Sequence, residues 1–254
     1  MTGRTHAYLR VADDLRDRIR SGQFKPGEKL PSQRLLAEEQ GVSEILIRRA
    51  LDILRNEGLI ESRQGSGSRV RIRPPVRRLS MDRYLADATG SMANPQTSFT
   101  HDAGITWSQY RLDKAFAWIE ADERLAGLFG VATGTRVLER RFVFYAGDEP
   151  SQLSRSCLLA SDVEGTPLAD PRNEPWPGGN TGQLRSLGIE VTRIKETTAV
   201  RMPAPEEAER LRIGSGVPVF SITRHTYSGE RVVEVADPIV VPGDRAVRVD
   251  VMDL

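Results

Sequence analysis

The sequence predicts an α+β protein in two parts: an N-terminal winged helix-turn-helix and a larger C-terminal domain built on a mainly antiparallel sheet. Three observations lead there. Three segments before residue 58 carry apolar residues at helical spacing, and a strictly alternating stretch around a glycine turn follows them. From residue 136 onward, long alternating runs rich in β-branched and aromatic residues are separated by glycine turns and short helical stretches.

The first helix is expected from His6 to Ser21, where Tyr8, Val11, Ala12, Leu15 and Ile19 form one apolar stripe. Gly22 and the Pro26-Gly27 turn end it. Ser32 is placed to cap a second helix through its hydroxyl, with Leu35, Leu36 and Ala37 inward and Gly41 supplying the left-handed end. Ser43 opens a third helix, in which Ile47, Ala50, Leu51 and Leu54 fall at i, i+3, i+4 and i+7. Its opposite face shows Ile45, Arg48, Arg49 and Asp52. Two helices joined by a short glycine-containing turn form a helix-turn-helix, whose second helix enters the major groove of DNA. Residues 59–64 and 68–72 then alternate about Gly65-Ser66-Gly67, which reads as a basic β-hairpin, a wing. Glycine at its tip lets the backbone approach a phosphate or the minor groove.

Charge separates the two parts. Residues 1–78 hold 17 Lys/Arg against 10 Asp/Glu, whereas the remainder holds 19 against 25, so the chain's net +1 hides a basic front and an acidic back. A polyanion partner is implied for the front alone. The single cysteine, Cys157, excludes a disulfide framework and fits a reducing cytoplasm. No stretch has the roughly 18 apolar residues of a membrane span, and residues 1–10 lack the apolar core of a signal peptide. The histidines, His6, His101 and His225, are dispersed, so neither a metal site nor a cofactor is expected. No Ser/His/Asp or Cys/His constellation can be assembled, and Gly65-Ser66-Gly67 lacks the lysine of a phosphate-binding loop, so no catalytic residue is assigned.

The N-terminal residues resemble the GntR family of bacterial regulators. The resemblance rests on Leu30-Pro31-Ser32-Gln33-Arg34-Leu35-Leu36-Ala37, Gly41-Val42-Ser43, Arg48-Arg49-Ala50-Leu51, Asn56-Glu57-Gly58-Leu59-Ile60 and Gly65-Ser66-Gly67, in that order. It implies operator contacts from Arg34 and Arg48 and from the wing tip, Gly65, Ser66 and Gly67. Ser32, Ser43, Glu44, Ile45, Arg49, Arg63 and Arg69 complete the expected DNA surface, with Arg63, Arg69, Arg71 and Arg73 read as phosphate contacts. Two positions depart from the family pattern: Gln33 stands where Glu is usual, and Glu44 where Arg is usual. Glu44 can accept from cytosine N4 or simply complement the positive helix end; Ile45 can touch a thymine methyl.

In the C-terminal part, residues 136–145 alternate Val137, Glu139, Arg141 and Val143 with Leu138, Arg140, Phe142 and Phe144; residues 151–159 return as the second arm of a hairpin. Thr181 to Leu187 reads as a short helix, 189–202 as extended, and Pro205 to Leu211 as a helix with proline and acids at its start. Strands are expected at 217–227, 231–240 and 246–251. This half resembles the UTRA domain of the HutC subgroup, on Gly147-Asp148-Glu149-Pro150, Leu187-Gly188-Ile189-Glu190-Val191, residues 203–211, Gly216-Val217-Pro218-Val219, Gly229-Glu230-Arg231-Val232-Val233-Glu234 and Gly243-Asp244-Arg245. The resemblance implies a chorismate lyase-like fold without its activity, and an effector cleft over the sheet lined by Arg141, Arg155 and Glu234. The usual Tyr-Arg before Gly-Asp-Arg is Val241-Pro242 here, which removes two groups associated with sugar-phosphate effectors.

The expected organisation is residues 1–74 as the DNA-binding domain, 75–100 as a linker beginning at Pro74-Pro75, and 101–254 as the effector-binding and dimerisation domain. The expected function is a cytoplasmic, homodimeric transcription regulator, a repressor. It would bind double-stranded DNA at an inverted-repeat operator under control of a small-molecule effector.

Overall fold

The computed structural model describes residues 7–63, 67–71, 77–91 and 93–249. Two compact units emerge: Met1–Pro74 with the short segments Met202–Ala208 and Arg212–Val217, and Pro75–Arg201 with Glu209–Leu211 and Pro218–Leu254.

In the first unit, α1 (Ala7–Arg20), α2 (Gln33–Gln40) and α3 (Glu44–Asn56) precede a hairpin of β1 (Ile60–Arg63) and β2 (Gly67–Val70). The three stripes converge: Val11, Ala12 and Leu15 of α1, Leu36 of α2, and Ile47, Ala50, Leu51 and Leu54 of α3 are all buried. Burying each of the larger side chains contributes about 1.5–3 kcal/mol. Ile60 and Val70, partners in the hairpin register, close the core from the wing. Ser32 Oγ accepts the Leu35 N–H, and Gly41 ends α2 at φ +62°, where a β-carbon would be strained. Ser43 occupies the capping position of α3, but its side chain makes no cap bond. The wing is wider than a hairpin: Leu30 N–H donates to Ser68 O, and Val70 N–H to Glu28 O, so the segment before α2 pairs with β2.

The second unit contains β3 (Arg77–Leu79), α4 (Arg83–Thr89), α5 (Ser98–Ala103), β4 (Tyr110–Glu120), α6 (Glu123–Phe129), β5 (Arg136–Ala146), β6 (Glu149–Leu159), α7 (Ala160–Val163), α8 (Gly179–Ser186) and β7 (Arg193–Arg201). Then come the end of α9 (Pro205–Leu211), of which only Glu209–Leu211 belong to this unit, and β8 (Val219–Ser228), β9 (Arg231–Pro242) and β10 (Ala246–Arg248). Six strands form one sheet in the order β4-β5-β6-β9-β8-β7, antiparallel throughout, and β10 pairs with β3 in parallel. The two faces of β5 diverge. Val137 packs with Leu125, Ala126 and Phe129 of α6, whereas Leu138 packs with Val163 of α7 and Leu184 of α8.

Residues 75–100 are not a bare linker. From Arg77 onward their described part supplies β3, α4 and the start of α5 to the second unit. Periodicity missed α4 because its buried residues include Arg83 and Asp87 beside Tyr84, so it has no apolar stripe. The loop-like composition before α5 conceals a capping box in which Thr97 and Thr100 satisfy each other's backbone N–H groups. The Pro74-Pro75 boundary, and the end of the last expected strand beyond residue 249, lie outside the described residues.

Candidate nucleic-acid interface and ligand cavity

The buried stripe of α3 fixes what its other face shows. With Ile47, Ala50, Leu51 and Leu54 inward, Glu44, Ile45, Arg48 and Arg49 stand in solvent, Ile45 at 64% exposure. Several cations of this unit are committed elsewhere. Arg16 binds Glu57, joining α1 to the end of α3, and Arg18 binds Glu39 and lies over the Phe24 ring. Arg34 pairs with Glu38 one turn along α2, an exposed pair that is cheap to open. Arg48 and Arg49 have no hydrogen-bond or ion-pair partner among the described residues, so both offer their full charge outward. Ser32 and Ser43 are exposed at the starts of α2 and α3.

In the wing, Gly67 takes φ +78°, and a β-carbon there would sit 3.2 Å from Lys29 Cε. Arg69 is half-buried and reaches the Gly27 carbonyl at 3.4 Å. Arg71, expected among the phosphate contacts, is buried instead, just past the end of β2, where its N–H donates to the Leu59 carbonyl. Gly65, Ser66, Arg73 and the Arg63 side chain lie outside the described residues.

In the second unit a cavity opens over the sheet face that carries Arg140, Phe142 and Phe144 of β5 and Gln152, Ser154 and Ser156 of β6. Helices α4, α5 and α8 and the loop bearing Glu174 and Trp176 wall it in. Its solvent-centre volume is ≈ 90 Å³, several times the roughly 10–15 Å³ that one ordered water requires. Aromatic side chains, Phe99, Tyr110, Phe142 and Phe144 among them, meet a large set of polar and charged groups that includes Arg83, Asp87, Arg140 and Arg224, a lining suited to a polar small molecule.

The polar groups form a buried network. Arg140, 1% exposed, donates to Gln183, Ser156 and Asn180 and lies 3.7 Å from Glu174. Burial lowers its pKa, against the attraction of Glu174 and Glu234. Arg224 donates to Glu234 at 2.8 Å, and Glu234 also accepts from Ser156 and Thr226. Burial works against the Glu234 charge, but Arg224, the Thr226 hydrogen bond and the Arg140 charge outweigh it and hold the carboxyl below its ordinary range. Arg83 pairs with Asp102 and Glu196. Burial pushes the Asp87 carboxyl up to about 6.

The three sequence-derived effector residues do not meet in this cavity. Arg141 and Arg155 converge on Glu139, at 2.7 and 2.6 Å, on the opposite sheet face, and Arg141 is largely exposed. Glu234 is fully buried behind the lining and acts through Arg224 and Ser156. Strand alternation makes the difference: Arg140 shares its face with Leu138, Phe142 and Phe144. An arginine set in an apolar row was the available sign that it faces inward. Arg224, which follows Phe220 and Ile222 at alternate positions of β8, carried the same sign; Arg83 and Asp87 did not. Cys157 sits in the core beneath α6, and burial pushes its thiol up to about 12, so it stays protonated and inert. No group of three or more His, Cys, Asp or Glu side chains suited to a metal occurs among the described residues.

A winged helix-turn-helix carried in one chain with a cavity-bearing α+β domain is the architecture of a ligand-responsive transcription regulator. The comparisons with known proteins agree: residues 7–70 match the gntR family of bacterial regulatory proteins, and residues 115–246 match the UTRA domain. The chain belongs to the GntR family and carries a UTRA domain, an effector-binding module of such regulators. An uncharacterized HTH-type transcriptional regulator of Streptomyces coelicolor is 30% identical over 239 residues, covering 92% of this chain and 87% of that one. The mannosyl-D-glycerate transport/metabolism system repressor MngR of Escherichia coli is 41% identical over 229 residues, covering 89% and 87%. The transcriptional repressor NagR of Bacillus subtilis is 28% identical, covering 97% and 94%. A crystal structure of a GntR-family transcriptional regulator superimposes with a TM-score of 0.59 at 30% identity, over 98% of each chain. These relatives are DNA-binding regulators, and the chain is a transcription regulator, not an enzyme.

Proposed function

We propose that the protein is a repressor that binds an inverted-repeat operator as a homodimer and changes its operator affinity when a small molecule fills the UTRA cavity. The observation that carries this reading is the pair Arg48 and Arg49, exposed on the helix that a helix-turn-helix inserts into the major groove and engaged by no described acid. Around them, Ser32, Arg34, Ser43, Glu44 and Ile45 supply backbone and base-edge contacts. Arg63, Gly65, Ser66, Gly67 and Arg69 of the wing track the neighbouring phosphates or minor groove. Two-fold pairing of subunits matches two half-sites about one helical turn apart. Repression needs nothing further, since a dimer covering a promoter blocks polymerase.

On the ligand side, Arg140, Arg224 and Asp87 take the place of Arg141 and Arg155 as the groups that meet the effector, and Glu234 holds Arg224 in position. The effector acts by binding one arrangement of the dimer better than another, typically with about 1–3 kcal/mol of coupling. No described helix is long and apolar enough to cross a membrane, in keeping with a regulator that works in the cytoplasm on the chromosome. Capture and sequencing of genomic fragments bound by the purified protein at moderate salt tests the reading. One or a few inverted-repeat sites are expected, with occupancy altered by small-molecule extract of the cells. Binding without preference for any fragment overturns it.

A further inference from the structure

The UTRA cavity holds three arginines, and each already faces a carboxylate of the protein. Arg83 lies against Asp102 and Glu196, Arg224 against Glu234, and Arg140 at 3.7 Å from Glu174. Arg140 Nε and Arg83 Nη1 are sealed from solvent and make no hydrogen bond. One carboxylate has no such partner. Asp87 lines the cavity at 3% exposure, Ser98 is its only hydrogen-bond partner among the described residues, and no described cation lies within 4.0 Å of it. Beside it stand aromatic faces: Phe99 contacts Tyr110 and Phe144 at ring-centroid distances of 5.4 and 5.1 Å. Burial raises the Tyr110 phenol, and the negative charges of Glu174 and Asp87 raise it further, which places all three in one electrostatic neighbourhood.

From this arrangement we infer that the effector carries a positively charged nitrogen, an amine or a protonated heterocycle. The nitrogen pairs with Asp87, and the apolar body lies on the wall of Phe99, Tyr110 and Phe144. The inference rests on the cavity being the effector site. The chemistry is direct. A buried ionised carboxylate with no cation in contact is costly, the more distant pull of Arg224 and Arg83 offsetting only part of its burial, and a ligand cation removes that cost. Aromatic faces attract the same cation. A phosphate dianion, by contrast, would enter a cavity whose arginines are already neutralised and whose open charge is negative. An Asp87 that served only to receive the Ser98 N–H would be replaceable by a neutral acceptor.

The test uses the full-length protein and two probes with the same ring, 2-phenylethylamine and phenyl phosphate, in thermal-shift and calorimetric titrations. The amine is expected to raise the melting temperature and the phosphate is not, and Asp87→Asn should weaken amine binding about tenfold or more. The wild-type comparison of the two probes stands even if the variant does not fold. Stabilisation by phenyl phosphate instead of the amine overturns the charge assignment while leaving the cavity as the effector site. Amine binding that Asp87→Asn does not change also overturns it. If neither probe shifts the NMR signals of cavity-lining side chains, the inference fails together with the cavity reading on which it rests.

Discussion

Arg224 Nη2 lies 2.8 Å from Glu234 Oε1, and the glutamate has no exposed surface. Glu234 therefore cannot touch a ligand directly; it fixes the arginine that can. Removing one partner of a buried pair leaves the other charge uncompensated, so Glu234→Ala should cost about 3–5 kcal/mol of stability, read as a large drop in melting temperature. Glu234→Gln keeps the shape and should lose less. The pH sign follows from the depressed carboxyl. Its stabilisation is present above the unfolded-state value and is lost as pH falls through the lower folded-state value. Wild-type protein should thus lose stability on acidification that the Gln variant does not lose.

Asp87 behaves oppositely. Burial raises its pKa to about 6 against the pull of the Ser98 hydrogen bonds and of Arg224 and Arg83. Tyr84, Asp102, Tyr110, Arg140 and Glu174 line the same cavity. Between the ordinary carboxylate range and pH 6 the folded protein retains a proton that the unfolded chain has released. This group's contribution therefore falls as pH rises through that window and stays lost above it. Asp87→Asn should be the more stable protein at pH 7.5, by up to about 3 kcal/mol, and close to wild type near pH 4. Melting curves at the two pH values check this; a variant less stable at both would show that the carboxylate is structural.

The legibility of the two units differs for a physical reason. In the first, each helix buries one apolar stripe, so Leu36, Ile47 and Leu54 announce both the elements and the outward face that carries Arg48. In the second, β-alternation gives two faces to every strand but does not say which one a cavity occupies. That depends on α6 covering Val137 and Cys157 on one side, a helix whose Asp122 cap, spaced Leu125, Ala126 and Phe129, and Gly130 end were legible in the sequence but went unused. Arg141 was chosen over Arg140 although the row of Leu138, Phe142 and Phe144 marked the face of Arg140 as the inward one. Helix α4 was hidden for a related reason: a cavity wall needs polar groups such as Arg83 and Asp87 inward, which erases the periodicity that identifies a helix.

The two capping serines separate stability from recognition. Ser32 Oγ accepts the Leu35 N–H at 3.3 Å, so Ser32→Ala should cost about 1 kcal/mol. Ser43 makes no cap bond, so Ser43→Ala should leave the melting temperature nearly unchanged. A loss of operator affinity in Ser43→Ala with unaltered folding would then measure a contact to DNA, since no helix-capping energy is available to confuse it. Equal destabilisation by both substitutions would show that Ser43 caps α3 in solution.

Arg48 offers the cleanest test of the reading surface. Its side chain is exposed and holds no described partner, so Arg48→Ala removes nothing from the fold and should stay within about 0.5 kcal/mol of wild-type stability. Against the operator recovered by fragment capture, fluorescence anisotropy at fixed salt should show a loss of about 1–3 kcal/mol. The salt dependence then sorts the mechanism. A phosphate contact released by the substitution lowers the slope of log affinity against log salt by about one and weakens all sequences alike. A base contact leaves that slope and relaxes discrimination at one operator position. With Glu44 standing where the resemblance leads one to expect an arginine, the base-contact outcome is the one expected for Arg48. An unchanged affinity would remove Arg48 from the interface and shift the reading to the wing.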